Sequence, residues 1–161
     1  MTLTTHALTG AVAASFFSAY PLLAFTAAFA SHFAVDALPH WDYPIRSATI
    51  DPHIGAKMKY DRAFFLDVVS IGFDMGLGIV LALFLFATPA TRTIILIGAI
   101  GGILPDPLQF AYTRYPHQPL LSLQRFHQWI HTNHHLKRTP LFGICSQLLL
   151  IGVVIIVGKL L

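Results

Sequence analysis

The chain has 161 residues, of which 55% are hydrophobic and only 11% are charged. Since a soluble domain carries about 25% charged residues, this chain is too apolar to cover a water-facing surface, and we expect one integral membrane domain over residues 1–161. Ten Lys and Arg oppose seven acidic residues, all of them Asp, and this excess is too small and too dispersed for a nucleic-acid-binding protein.

Apolar segments predict an all-α fold, an integral membrane helical bundle of about five transmembrane or membrane-embedded helices. Pro21 separates the first two segments and fits the first turn of the second helix, so these two form a tight hairpin. The first, second and fourth segments are shorter than the roughly 20 residues of a full span. The predicted helices cover residues 5–20, 22–38, 62–87, 91–104 and 141–160.

Positive charge is concentrated in two loops, residues 41–62 and 105–139, and the second loop contains a short interfacial helix at about 121–136. Eight Lys and Arg lie in these loops, whereas only Arg92 and Lys159 lie on the opposite side. The positive-inside rule therefore predicts a multi-pass protein of the cell (inner) membrane, with the N-terminus and both loops in the cytoplasm.

His and Asp residues gather at the cytoplasmic end of this predicted bundle. None falls within the opposite end, whereas incidental polar residues would scatter between the two. The co-location therefore predicts a shared site. The residues at this end are His6, His32, Asp36, His40, Asp42, Asp61, Asp67, Asp74, Asp106 and the four histidines of residues 127–135.

Local spacing supports the same site. His32 and Asp36 are four residues apart, so their side chains share one helix face. Asp74 lies well inside an apolar segment, where a carboxylate is costly unless it is paired or bound to a metal. We therefore include all three residues in the predicted site.

The stretch HQWIHTNHH, residues 127–135, contains four of the nine histidines. His127 and His131 are four residues apart on one predicted helix face. At about 100° per residue, His134 returns close to the direction of His127 and His135 falls about 80° away. We expect three of the four to bind metal, with His134 and His135 competing for the third place.

Neutral imidazole and carboxylate together suit zinc best, and also iron or manganese. Several carboxylates favour two or three ions, because each can bridge. Water bound to such an ion loses its proton near neutral pH and becomes a nucleophile. Asp74 and Asp106 are the candidate catalytic carboxylates. The candidate metal ligands are His6, His32, Asp36, Asp74, Asp106, His127, His131, His134 and His135.

Three basic residues, Arg125, Lys137 and Arg138, flank this stretch. One interpretation is that they bind the phosphate group of a substrate. The other is that they anchor the chain at lipid headgroups and set its topology.

At THALTG, SHFAVDALPHWD and GGILPDPLQ the chain resembles the predicted membrane-bound metal-dependent hydrolases, which are small multi-helix proteins distantly similar to zinc-dependent phospholipase C. The family's early His, H-x-x-x-D pair, L-P-D segment and later His pair correspond here to His6, His32 with Asp36, Asp106 and the histidines of 127–135. The resemblance implies a cluster of zinc or similar ions and phosphoester hydrolysis. In this chain the L-P-D segment follows the H-x-x-x-D pair, and the second Asp and the His of L-P-D-x-D-H are absent.

Three functions fit these features. The first is a metal-dependent membrane hydrolase that cleaves a phosphoester of a lipid at the cytoplasmic leaflet, with membrane lipid as its partner. The second is a di-iron oxygenase, because His131-x-x-His134-His135 has the H-x-x-H-H spacing of desaturases. The third is a non-enzymatic metal transporter or sensor, although the polar groups stop in one half of the predicted bundle.

Overall fold

The fold is described by a computed structural model, which covers residues 1–51, 55–131 and 140–161. In these residues the chain forms seven α-helices and one small antiparallel hairpin. The strands are β1 (Ala48–Asp51) and β2 (Gly55–Met58). The helices are α1 (Leu3–Ser15), α2 (Pro21–Asp36), α3 (Arg62–Phe86), α4 (Arg92–Ile103), α5 (Pro105–Arg114), α6 (Leu120–Ile130) and α7 (Pro140–Leu160).

The central helix of the bundle is α1, which contacts α2, α3, α4 and α7. Leu3, Leu8 and Val12 on α1 are buried, and its small residues let the neighbouring helices approach closely. A Cβ atom added to Gly98 of α4 would lie 2.5 Å from Cβ of Ala14 and 2.6 Å from the backbone oxygen of Gly10 on α1. The contact between α1 and α4 therefore depends on the missing side chain at Gly98.

Replacement of Gly98 by Ala is expected to destabilise the protein by about 1–3 kcal/mol, the usual effect of overpacking a tight contact. Thermal unfolding in detergent measures the change. Gly72→Ala on α3 is the matched control, because nothing lies within 4 Å of a Cβ added there and removing a mid-helix glycine stabilises by about 0.5–1 kcal/mol. Equal effects of the two substitutions would contradict the packing argument.

Two helices, α3 with 25 residues and α7 with 21, are long and apolar enough to cross a membrane. The helices α4 and α5 meet at a bend of 43° and together form a third candidate span. Large apolar side chains such as Phe73, Phe84 and Leu160 are exposed, as lipid-facing residues are. The all-helical class is confirmed apart from the short hairpin. About five transmembrane or membrane-embedded helices were predicted, but only two to three of the described helices are candidate spans. The helices α1 and α2 have 13 and 16 residues, which is too short for a full span.

Both predicted loops contain regular structure. The loop of residues 41–62 includes the β-hairpin, and the loop of residues 105–139 includes α5. This predicted loop begins with Pro105 and Pro107, but both lie in the first turn of α5, where a missing N–H leaves no intrahelical bond unmade. The predicted helix at 121–136 ends at Ile130, and His131 is its extended C-cap.

Candidate metal centre

Asp36, the last residue of α2, lies at the centre of a group of histidines and is 1% exposed. Its Oδ1 lies 3.2 Å from Nε2 of His6 and 3.9 Å from Nε2 of His40. Its Oδ2 lies 3.2 Å from Nε2 of His32 and 2.8 Å from Nε2 of His127. Four imidazoles, two from within four residues of Asp36 and two from α1 and α6, therefore surround one buried carboxylate.

The ring of His32 is fixed by a backbone contact. Nδ1 lies 2.8 Å from the carbonyl oxygen of Gly102, and since a carbonyl only accepts, Nδ1 is the donor. In the neutral ring, Nε2 then presents a lone pair to Asp36 and to Oδ1 of Asp106, 3.6 Å away, and has no hydrogen-bond partner. A lone pair facing carboxylates needs a cation between them. The contact of Nδ1 with a backbone carbonyl is of the kind that commonly orients metal-binding histidines.

His40 repeats this arrangement in the loop after α2. Its Nδ1 lies 2.7 Å from the carbonyl oxygen of Leu38, and its unpartnered Nε2 lies 3.2 Å from Oδ1 of Asp42. Burial alone would raise the pKa of Asp42, but contact with His40 and with the positively charged amine of Met1 lowers it well below its usual range. Asp42 is therefore an ionised carboxylate beside a buried imidazole.

The loop that carries His40 is held in place by α7. Gln147 donates from Nε2 to the carbonyl oxygen of Trp41 at 2.5 Å. Ser146 donates from Oγ to the carbonyl oxygen of Pro39 at 3.0 Å. Because these bonds lie on both sides of His40, they fix the backbone of the loop against a membrane-length helix.

Gln109 of α5 connects α5 with α6. Its Nε2 lies 3.2 Å from Oδ1 of Asp106 and 3.3 Å from Nε2 of His127, and its Oε1 accepts from Gln124. The amide therefore orients one carboxylate and one imidazole of the site. We did not identify Gln109 from the sequence. Its position three residues after Asp106 indicates a shared helix face only once α5 is recognised.

Two groups of potential metal ligands share Asp36. Within each group, the ligand atoms lie within 4.8 Å of one another. The described residues can thus hold a metal ion, as the sequence indicated, through the mixture of imidazole and carboxylate that zinc and similar ions accept. The first group is His32, Asp36, Asp106 and His127, and the second is Asp36, His40 and His131.

Asp74 is not in either group. Its carboxylate accepts from the backbone N–H of Leu3 at 2.7 Å and of Thr4 at 3.2 Å, and from the hydroxyl of Thr4 at 2.6 Å. It therefore caps the first turn of α1 and fixes that helix against α3. These three hydrogen bonds satisfy the carboxylate, so its position deep in an apolar segment does not require a metal ion.

Tyr43, which we did not identify from the sequence, lies near Asp74, Asp106 and Asp42. Burial raises its pKa, and so do the charges of Asp74, Asp106 and Asp42 and its hydrogen bond with Asp74. The phenol is therefore a proton donor at neutral pH.

The other predicted site residues fall into three sets. His6 contacts Asp36 and stacks on His32 with ring centroids 3.8 Å apart, but it does not belong to either ligand group. Arg125 is exposed on α6. The remaining predicted site residues lie outside the described part of the chain, namely His134, His135, Lys137 and Arg138.

The backbone amine of Met1 also reaches the site. It lies 2.7 Å from Oδ1 of Asp42 and 3.3 Å from Oδ1 of Asp36. A positive group thus lies between the two carboxylates on the Oδ1 side of Asp36.

Comparison with protein-family models, with curated proteins and with solved structures found no match for this chain. The geometry of the site is therefore the basis for the functional argument.

Proposed function

We propose that this protein is a metal-dependent membrane hydrolase that cleaves a phosphoester of a lipid. The observation that carries the proposal is the unpartnered Nε2 of His32, which is held by Gly102 and faces the carboxylates of Asp36 and Asp106. Together with His127 they form a group suited to zinc. The resemblance to membrane-bound metal-dependent hydrolases, carried by the same residues, supports the same reaction class.

Asp106 is the most accessible member of this group, with 31% of its side chain exposed, so water and substrate reach the site from its side. A bound zinc ion would lower the pKa of a water molecule to about 7. Asp106 would accept the proton of the attacking water as the water oxygen bonds to phosphorus, and would return that proton to the leaving alkoxide as the ester P–O bond breaks.

A lipid substrate is supported by an apolar pocket of about 230 Å³ next to the metal centre. Met1 joins the two, because its amine contacts Asp36 and Asp42 while its side chain lines the pocket. One wall belongs to α7, a candidate span, so the pocket is open to an acyl chain from the bilayer. Its lining residues are Met1, Leu38, Pro39, Phe142, Ser146 and Leu150.

We place the short apolar helices α1 and α2 inside the membrane as well, packed between the longer helices, which gives the bundle of about five membrane-embedded helices. The lysines and arginines of the two loops set the cytoplasmic orientation. The site then lies at the depth of the lipid headgroups in the cytoplasmic leaflet. The exposed Trp129 of α6 is of the residue type that anchors at this interface.

The function is tested with purified protein in phospholipid vesicles. We expect zinc in the protein and release of a phosphoester product that chelation abolishes and added zinc restores. His32→Ala should remove both metal and activity, while His117→Ala, at an exposed position outside the site, should change neither. Iron in place of zinc would favour the oxygenase. Metal uptake into sealed vesicles without hydrolysis would favour the transporter.

Replacement of Leu150 by Trp should fill the apolar pocket. Because displacing two or more methylenes of an acyl chain costs about 1.6 kcal/mol or more, hydrolysis of a long-chain phospholipid should fall at least about tenfold. Hydrolysis of a short-chain, water-soluble phosphodiester should be unchanged. Leu149→Trp is the matched control, since Leu149 is an exposed neighbour on the same helix. Equal loss on both substrates would argue against an acyl-chain pocket.

A further inference from the structure

We propose that the centre holds two metal ions, bridged by the two carboxylate oxygens of Asp36. This inference rests on the proposed metal site, but not on hydrolysis. Its basis is the way the imidazoles divide between the two oxygens. Oδ2 faces His32 and His127, whereas Oδ1 faces His6 across 3.2 Å and His40 across 3.9 Å. Unpartnered Nε2 atoms lie beside both oxygens, that of His32 beside Oδ2 and those of His6 and His40 beside Oδ1.

The first ion belongs on the Oδ2 side. Nε2 of His127 lies 2.8 Å from Oδ2, and Nε2 of His32 lies 3.2 Å from it. Asp106 supplies a fourth ligand, and its Oδ1 is held by Gln109. Two imidazoles and two carboxylates complete a four-coordinate site. If Asp106 is displaced, the other three ligands leave a position for water.

The second ion belongs on the Oδ1 side. Nε2 of His40 is buried and has no hydrogen-bond partner, and its ring is fixed by the carbonyl oxygen of Leu38. His131 completes the group with Asp36 and His40, with the rings of His40 and His131 centred 4.9 Å apart. Asp42 lies 3.2 Å from Nε2 of His40 and adds a second carboxylate. This side therefore offers two imidazoles and two carboxylates, as the first side does.

The charge on the Oδ1 side also calls for a cation. The amine of Met1 lies between the oxygens of Asp36 and Asp42, which shows that a positive group fits the space between them. The amine leaves Nε2 of His40 without a hydrogen-bond partner, whereas a divalent ion there would bind that nitrogen as well. Two ions on one bridging carboxylate are typically about 3.5–4 Å apart, the spacing that clamps a phosphoryl group.

Elemental analysis of the purified, zinc-loaded protein tests the proposal. We expect about two ions per chain in the unaltered protein and in His117→Ala. His40→Ala should retain one ion, on the Oδ2 side, and His127→Ala should lose the ion on that side. A second readout rests mainly on the unaltered protein, whose signal does not depend on the stability of a variant. Manganese-loaded unaltered protein should give the electron paramagnetic resonance signal of two spin-coupled ions, and His40→Ala should give that of a single ion.

A single ion per chain that His40→Ala retains in full would overturn the proposal, and would leave the Met1 amine as the cation that neutralises Oδ1. Two ions without spin coupling would also overturn it, because Asp36 would then not bridge them. Neither outcome decides whether the protein is a hydrolase. Loss of lipid cleavage with two coupled ions still bound would instead contradict the proposed function alone.

Discussion

Replacement of Asp36 by Asn is expected to remove the bound metal and to lower phosphoester hydrolysis by at least about 100-fold. Even residues that only orient a metal ligand change affinity or activity by about 10–100-fold, and Asp36 contacts imidazoles through both oxygens. Asn keeps the shape of the side chain but loses the negative charge and one ligating oxygen. Elemental analysis and product release from phospholipid vesicles measure the two effects.

Asp51→Asn is the control for this substitution, since it removes the same charge from the β-hairpin and should leave metal content and activity unchanged. Circular dichroism checks that the helices of both variants are intact. If Asp36→Asn kept its full metal content, the buried imidazoles would need another explanation, and both the metal centre and the bridging role would be wrong.

Replacement of Asp74 by Ala is expected to destabilise the protein by about 2–3 kcal/mol without removing the metal. The substitution deletes the acceptor of two backbone N–H groups and one hydroxyl at the start of α1. Loss of a helix cap costs about 0.5–2 kcal/mol, and a hydrogen bond to a charged group is worth about 1.5–3 kcal/mol. The melting temperature should fall by about 5–10 °C.

Asp61→Ala is the matched control for Asp74. Asp61 also caps a helix, accepting from the N–H groups of Ala63 and Phe64 at the exposed start of α3. Its loss should cost about 1 kcal/mol and leave the metal unchanged. A fall in metal content in Asp74→Ala, at a temperature where the protein is fully folded, would instead support the sequence prediction that Asp74 is a ligand.

Hydropathy alone predicted the two longest helices to within one residue at each end, because α3 and α7 are continuous apolar runs long enough to cross a membrane. The cluster was also predictable in outline. Asp36, Asp106 and His131 lie at or next to helix ends. His6 and His127 lie in the first turn of α1 and the last turn of α6, and ends on the same side of a bundle must meet. The structure accordingly brings together six of the nine predicted ligands, which are His6, His32, Asp36, Asp106, His127 and His131.

Partners of single polar residues could not be predicted in this way. Asp74 was assigned to the metal because its cost in an apolar helix was evident, whereas the N–H groups that satisfy it are about 70 residues away in the chain. His40 follows a proline in a loop, and no periodicity indicates the direction of a loop side chain. The end of α6 at Ile130 was missed for a related reason, since the four-residue spacing of His127 and His131 is compatible with a helix that stops between them.

The contact between Asp36 and His127 joins residues that are 91 positions apart in the chain. A ribosome adds about 5–20 residues per second, so α1 and α2 exist for several seconds before α6 has been made. During that interval Asp36 and His32 lack the imidazole of α6, and the incomplete group would hold metal weakly. Metal capture by the proposed centre would therefore be a late step in biogenesis, after the helices of the bundle have been made.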